Sequence, residues 1–426
     1  MLKTADRNYW LLSLALFSFF LTWSFSFSLF PIWLNQAVGL GGEQTGIIFS
    51  INAIAALIVM PFYGYIQDKL GLRRHLLFTV GAMLLLCGPF FIYIYSPLLA
   101  SNFYLGVVLG AFFFSIAFSA GVGATETYIE RVGRMTGFEF GKARMWGSLG
   151  WATATFFAGA LFNIDPTINF WLASGSAILY LVAIALVKPA NTQKLEEEID
   201  KEANALNIKD ALCLLKMPNF WGFATFVMGV SCIYSVYDQQ FPVYFASLFP
   251  TQEEGNAMYG YLNSFQVFLE AGGMFLAPFI VNKIGAKNGL ILSGIIMAVR
   301  MIGSGFAFDP ITISIMKLLH AVELPIMLVA IFKYIAANFD ERLSATLYLV
   351  GFQFTTQLVA SGLSIVAGMM YDSMGFALSY KILGAIVTFF VAVSWFVLVQ
   401  DKLCLTTKET SPEQKEATNS SETPLI

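Results

Sequence analysis

The chain has 426 residues, 57% of them hydrophobic and 12% charged, with a mean hydropathy of +0.70 and a net charge of −3. A soluble domain carries about twice that charge fraction, and no soluble core of this length hides so much apolar surface, so lipid must be the solvent for most of it. The negative balance, without a basic block, excludes nucleic acid as a partner, and Cys87, Cys213, Cys232 and Cys404 have neither C-x-x-C nor metal-ligand spacing and read as small apolar fillers.

In chain order, about twelve apolar segments are long enough to cross a bilayer of ~30 Å. They fall near 10–34, 46–67, 75–97, 103–128, 145–163, 168–187, 219–247, 258–281, 288–308, 311–337, 345–370 and 376–399. The first is too long, and lacks the small-residue cleavage site, for a signal peptide, so it reads as a retained span. Helices are expected because a backbone in lipid must satisfy its own hydrogen bonds.

The connections alternate in charge. One set carries Lys69, Arg73 and Arg74, then Arg131, Arg134 and Lys142, then Lys188 to Lys216, then Lys283 and Lys287, then Arg342. The other set, near Glu43, Pro97, Asp165, Glu253, Asp309 and Asp372, has essentially no Lys or Arg, Lys381 being the nearby exception. The positive-inside rule then puts both termini in the cytoplasm. The chain divides into a six-helix half at 1–187, a polar central loop at 188–218, a second half at 219–402 and a tail at 403–426 whose Ser, Thr, Glu and Lys content predicts disorder.

An internal repeat supports that division. The turn Gly64-Tyr-Ile-Gln-Asp68-Lys69-Leu-Gly71-Leu-Arg73-Arg74 and the turn Val281-Asn-Lys283-Ile-Gly285-Ala-Lys287-Asn288 each follow a helix with a proline, Pro61 and Pro278. Two parallel halves with a site between them at mid-membrane are one transporter plan. The first turn matches G-x-x-x-D-K/R-x-G-x-R-K/R, and in this the chain resembles the major facilitator superfamily. The resemblance implies an all-α membrane fold of twelve spans in two pseudo-symmetric halves, with Gly64, Asp68, Gly71 and Arg73 as a gating motif.

Ionisable residues at bilayer depth are costly and usually functional. They are Glu126, Arg144, Asp238, Glu270, Arg300, Lys317, His320 and Glu323. With His320 neutral these are four acids and three bases, so one acid is left over. A leftover acid in a low-dielectric cavity is a candidate to take up and release a proton. Arg144 and Trp151 lie seven residues, or about two turns, apart and share a helix face near Glu126. A charged pair gives strong hydrogen bonds to hydroxyls, and a flat indole suits the apolar C–H face of a pyranose. Lys317, His320 and Glu323 recur every three residues and, with Arg300 on the preceding span, make a workable proton site. The Asp238–Lys317 pair reads equally well as structural.

Several runs narrow the likeness: Phe138-Glu-Phe-Gly-Lys-Ala-Arg144-Met-Trp-Gly-Ser-Leu-Gly-Trp151, Val236-Tyr-Asp238-Gln239-Gln-Phe241, Lys317-Leu-Leu-His320-Ala-Val-Glu323-Leu-Pro325 and Phe332-Lys-Tyr334. Over nearly the whole chain these resemble the oligosaccharide–proton symporters, the lactose, raffinose, melibiose and sucrose permeases. The resemblance implies sugar binding by Glu126 and Arg144, stacking by Trp151, proton translocation through Arg300, His320 and Glu323 with Glu323 as carrier, and an interior pair of Asp238 and Lys317. Asp238 and Gln239 join the substrate-binding group. Two departures stand out: Ser235 and Thr356 replace a second buried Asp–Lys pair, and Val267 occupies a glutamate position, with Glu270 one turn on. Glu270 is therefore a candidate for either sugar binding or proton coupling. Together with Gly260–Ala271 and Trp23-Ser-Phe-Ser-Phe-Ser, these departures look more like the sucrose permeases.

The expected protein is a monomeric carrier of the bacterial inner membrane, with sugar, proton and lipid as partners and no cofactor or metal. No metal cluster, phosphate loop or paired nucleophile argues for an enzyme. A galactoside symporter, an uncoupled facilitator or efflux carrier, and a transport-derived sugar sensor are the alternatives. The short tail speaks against the sensor.

Overall fold

A computed structural model describes residues 4–70, 73–187, 214–339 and 347–400. Every regular element among them is helical. In order they are α1 (Thr4–Phe27), α2 (Phe30–Gln36), α3 (Gly42–Leu70), α4 (His75–Leu85), α5 (Cys87–Ser101), α6 (Phe103–Thr136), α7 (Phe140–Ile164) and α8 (Pro166–Leu186). After the central connection come α9 (Pro218–Ser247), α10 (Gln252–Ile284), α11 (Ala286–Phe306), α12 (Pro310–Leu318), α13 (His320–Asn338), a π-helical turn (Leu347–Phe354) and α14 (Thr355–Val397). Among the described residues, nine helices are long and apolar enough to cross a membrane, or ten when α4 and α5, bent by 45°, count as one span. The chain is thus a multi-pass membrane protein.

The helices run past the apolar windows because their ends are polar but well capped. Around the expected 258–281, for example, α10 spans Gln252–Ile284. Thr251 accepts the amide hydrogen of Glu254, Glu253 and Glu254 lie in the first turn and Lys283 in the last, all favourable to the helix dipole. Asp165 and Asp309 cap α8 and α12, each followed by a proline in the first turn. Arg74 donates to the carbonyls of Ile184, Ala185 and Val187 at the end of α8. Lys142 and Arg144 lower the apolarity of α7, which still runs 25 residues.

Interruptions follow local chemistry. Gly375, at φ 79°, turns the chain within α14. The helix breaks at Leu319, between Lys317 and His320, and Pro325 lies one turn into α13. Pro61 and Pro278 sit inside α3 and α10, and the turn after α10 closes on Gly285 at φ 88°. Of the gating motif, Gly64 lies in α3 and Arg73 is exposed, while the Asp68 side chain and Gly71 fall outside the described residues. So do Arg342, most of the central loop and the tail.

Residues 4–187 and 214–400, here the first and second segments, meet along two close seams. A Cβ on Gly46 would collide with the Ser364 carbonyl, and one on Gly159 with that of Asn256. The two oxygens of Asp372 accept the amide hydrogens of Gly42 and Glu43, both at 2.7 Å. Gln36 and Asn256 exchange amide hydrogen bonds at 3.2 and 2.9 Å, and Asn256 also donates to Asn163 at 3.1 Å. Gln240 donates to the Gly42 carbonyl at 2.8 Å. These contacts lie at the end of the bundle that holds the connections poor in lysine and arginine.

Candidate solute site between the two segments

Arg300, fully buried on α11, is the hub of the second segment's charges. Its Nη2 meets Asp238 Oδ1 at 2.5 Å and its Nη1 meets Glu323 Oε1 at 2.8 Å. The guanidinium also lies 4.7 Å from the Tyr237 ring centre. Nη1 reaches His320 Nδ1 at 3.0 Å. A guanidinium only donates, so Nδ1 must accept, and the imidazole proton belongs on Nε2, 3.2 Å from the Tyr234 hydroxyl. Lys317 Nζ reaches Asp238 Oδ1 at 3.5 Å. Two carboxylates thus balance one arginine and one lysine, and the second oxygen of Glu323 has no hydrogen-bond partner among the described residues.

On the first segment, Arg144 Nε meets Glu126 Oε1 at 2.5 Å, and both side chains are about one-third exposed. The guanidinium lies 4.3 Å over the Phe20 ring. Trp151 stands edge-on to Trp23 at 5.7 Å, its backbone carbonyl held by Ser24 at 3.0 Å. With these pairings, the leftover acid of the charge count is Glu270. Among the described residues it has no ion pair, and only the Gln266 amide reaches it, at 3.2 Å.

Between the segments lies a cavity of about 560 Å³. Arg144, Trp151, Asp238, Gln239, Glu270, Lys317 and His320 all line it, which brings together most of the predicted sugar groups and, of the predicted proton groups, His320 and Glu270. Glu126, Arg300 and Glu323 do not line it. Glu126 stands behind Arg144 as its partner, and the other two sit behind His320 and Asp238. Ser235 and Val267 are in the wall, and Thr356 accepts a hydrogen bond from Cys232 through its carbonyl. Asn263, Gln266 and Gln357 also line the cavity and were not singled out from sequence. Asn263, Gln266 and Glu270 do recur at helical spacing along one face of α10, and that polar stripe was the available signal. Such a cavity offers carboxylate, guanidinium, ammonium, amide and indole groups to a polyhydroxylated solute.

Comparison with known proteins agrees with the geometry. The LacY proton/sugar symporter profile matches residues 1–410. The chain is 42% identical to a raffinose permease of Escherichia coli over 92% of its length and 93% of the relative's. It is 43% identical to a melibiose permease of Enterobacter cloacae over the same shares, and 41% identical to a sucrose permease of Escherichia coli over 90% and 91%. Among solved structures, the nucleoside transporter NupG superposes with a TM-score of 0.75 at 13% identity, over 92% of this chain and 98% of that one. The fold is therefore that of membrane transporters, not enzymes. The chain belongs to the LacY proton/sugar symporter family of the major facilitator superfamily.

Proposed function

We propose that the protein imports a disaccharide or small oligosaccharide together with a proton, by alternating access between two six-helix halves, 1–187 and 219–402. The observation that carries this reading is one cavity bordered by Arg144 and Trp151 on one side and by Asp238, Lys317 and His320 on the other. Twelve spans follow if the ten apolar ones are joined by α7 and if α14 counts as two, divided at Gly375. Both termini then lie in the cytoplasm, and the seam at Asp372 closes the opposite side of a bacterial inner membrane.

In this reading Arg144, held by Glu126, donates to sugar hydroxyls, and Trp151 covers an apolar sugar face. Glu270 and Gln239 accept and donate from the facing wall. A proton on Glu323 would free Arg300 to keep Asp238 alone, which links proton binding to the groups at the cavity edge. Asp238 and Lys317 hold the α9–α12 contact. The halves then rock about the loaded site, no metal or organic cofactor being needed.

For the sugar we favour sucrose, on Val267 with Glu270 and on Ser235 with Thr356. A galactoside is the second reading, favoured by identities of 42% and 43% to the raffinose and melibiose permeases against 41% to the sucrose permease. The test is external pH in de-energised cells given sucrose, lactose, melibiose or raffinose in turn. Alkalinisation with one sugar establishes symport and names the substrate. Sugar entry without a pH change makes the protein a facilitator, and no entry of any sugar overturns the reading.

A further inference from the structure

A crevice of about 230 Å³ lies where the two segments meet, at the end of the bundle that holds the connections poor in lysine and arginine, and it shares no lining residue with the central cavity. Five of its eight lining residues carry an amide or a carboxylate: Gln36 and Asn163 on the first segment, Gln252, Glu253 and Asn256 on the second. Three of these side chains, Gln36, Asn163 and Asn256, make the carboxamide bonds that close the seam, and Asn163 Nδ2 also donates to the Glu253 carbonyl at 2.6 Å. The exposed side chains of Gln252 and Glu253 have no hydrogen-bond or ionic partner among the described residues and are free to turn to a ligand. Phe162 and Pro166 give the crevice an apolar side, and the same two residues line a slot of about 10 Å³, the size of one hydroxyl. Asn169, 2% exposed, lines that slot too. Its Nδ2 donates to the Ala158 carbonyl at 3.0 Å, while its Oδ1 accepts no hydrogen bond among the described residues. A buried acceptor without a donor is costly to keep, so a hydroxyl that reaches the slot would offset that cost.

We propose that this crevice is an external inhibitory site, where the transported sugar at high outside concentration binds across the closed seam and slows its opening. The proposal rests on the sugar reading above and adds a place of regulation at the outer mouth. At about 15 Å³ per water-sized group, the crevice holds roughly fifteen such groups, room for one sugar ring. Ring hydroxyls bridge Gln36 and Asn163 on one segment to Gln252 and Glu253 on the other, donating and accepting by turns. An apolar ring face lies against Phe162 and Pro166, and a hydroxymethyl arm donates to Asn169 in the slot. Opening at this end parts the two segments and breaks the bridge. A bridging ligand therefore binds the closed form more tightly and shifts the population toward it. The same sugar acts twice, as substrate in the centre and as brake at the mouth.

The test measures initial uptake by energised cells that express the full chain, at constant osmolarity, with sucrose, lactose, melibiose and raffinose from far below KM to far above it. For the sugar that the wild type carries, the rate should pass through a maximum and then fall at least about twofold. The double variant Gln252→Ala/Glu253→Ala should turn that fall into a plateau, with KM within about twofold of the wild type. A second measurement reads the crevice without changing either position. Ala37→Cys, at an exposed lining position, is combined with Arg144→Ala to weaken the central site, and labelled from outside with a membrane-impermeant maleimide. The same sugar should slow labelling about threefold. A wild-type plateau, a fall that survives the double variant, or unprotected labelling overturns the inhibitory site and leaves the sugar reading standing. A wild type that carries none of the four sugars overturns the sugar reading, and the site with it. The labelling keeps the proposal testable if the double variant fails to fold.

Discussion

Arg144 and Arg300 are both arginines paired with carboxylates inside the bundle, yet their surroundings are opposite. Arg144 is about one-third exposed and has one carboxylate partner and one aromatic ring. Arg300 is fully buried among two carboxylates, an imidazole and two tyrosine rings. An exposed pair in a wet cavity can exchange its partner for a sugar hydroxyl at small cost. A buried pair cannot lose one member without stranding a charge. In the proposed carrier the contrast lies between the two arginines: Arg144 at the sugar, Arg300 in energy coupling.

The sharpest way to break that comparison is Arg300→Gln. It leaves Asp238 and Glu323 without their shared cation, so it should cost about 3–5 kcal/mol of stability and abolish sugar accumulation. The unfolding midpoint in detergent and uptake in energised cells read the two effects. Unchanged stability would remove the contrast between the arginines.

Next in size is Glu323→Gln. Accumulation against a gradient should vanish while exchange down a gradient persists. Normal accumulation by this mutant would sink the coupling role. The same phenotype from Glu270→Gln would instead put the proton on the carboxylate that lacks an ion pair.

Arg144→Ala tests the other wall. Sugar affinity should fall by about a hundredfold, as expected for a lost charged hydrogen-bond donor and the carboxylate it orients. Stability should change by no more than about 1 kcal/mol, the upper range for an exposed pair. A large loss of stability would make Arg144 a structural residue like Arg300.

The smallest effect serves as a control outside both walls. Asp309 accepts a hydrogen bond from the Thr312 hydroxyl and from the amides of Thr312 and Ile311, and these hold its carboxyl below the usual range. A lowered folded value means its contribution is present above the ordinary carboxylate pKa of about 4 and is lost as pH falls through the lower folded value. Asp309→Ala should therefore lower the unfolding midpoint slightly at neutral pH, with the difference shrinking in acid. Transport should be unchanged.

Much of this was legible in the residues. Apolar runs announced the spans, since lipid leaves a backbone few options. Spacing placed Arg144 and Trp151 on one face, and rarity made each buried charge conspicuous. What spacing could not show was pairing between distant spans. Asp238 and Arg300 are 62 residues apart in the chain, and nothing local says that they meet. Nor does hydropathy register the break at Leu319, which puts Lys317 and His320 on separate helical pieces. A lone amide such as Gln357 was missed because a single polar residue in an apolar run has no period.

The seam at Asp372 has a kinetic consequence. It is sealed by a carboxylate on two backbone amides, by carboxamide pairs and by glycine-to-carbonyl contact rather than by a greasy plug. Such bonds are short-ranged and directional, so a small separation forfeits most of them together. Opening should then be all-or-none: one high barrier with a steep temperature dependence, followed by free movement, instead of a gradual slide between intermediate widths.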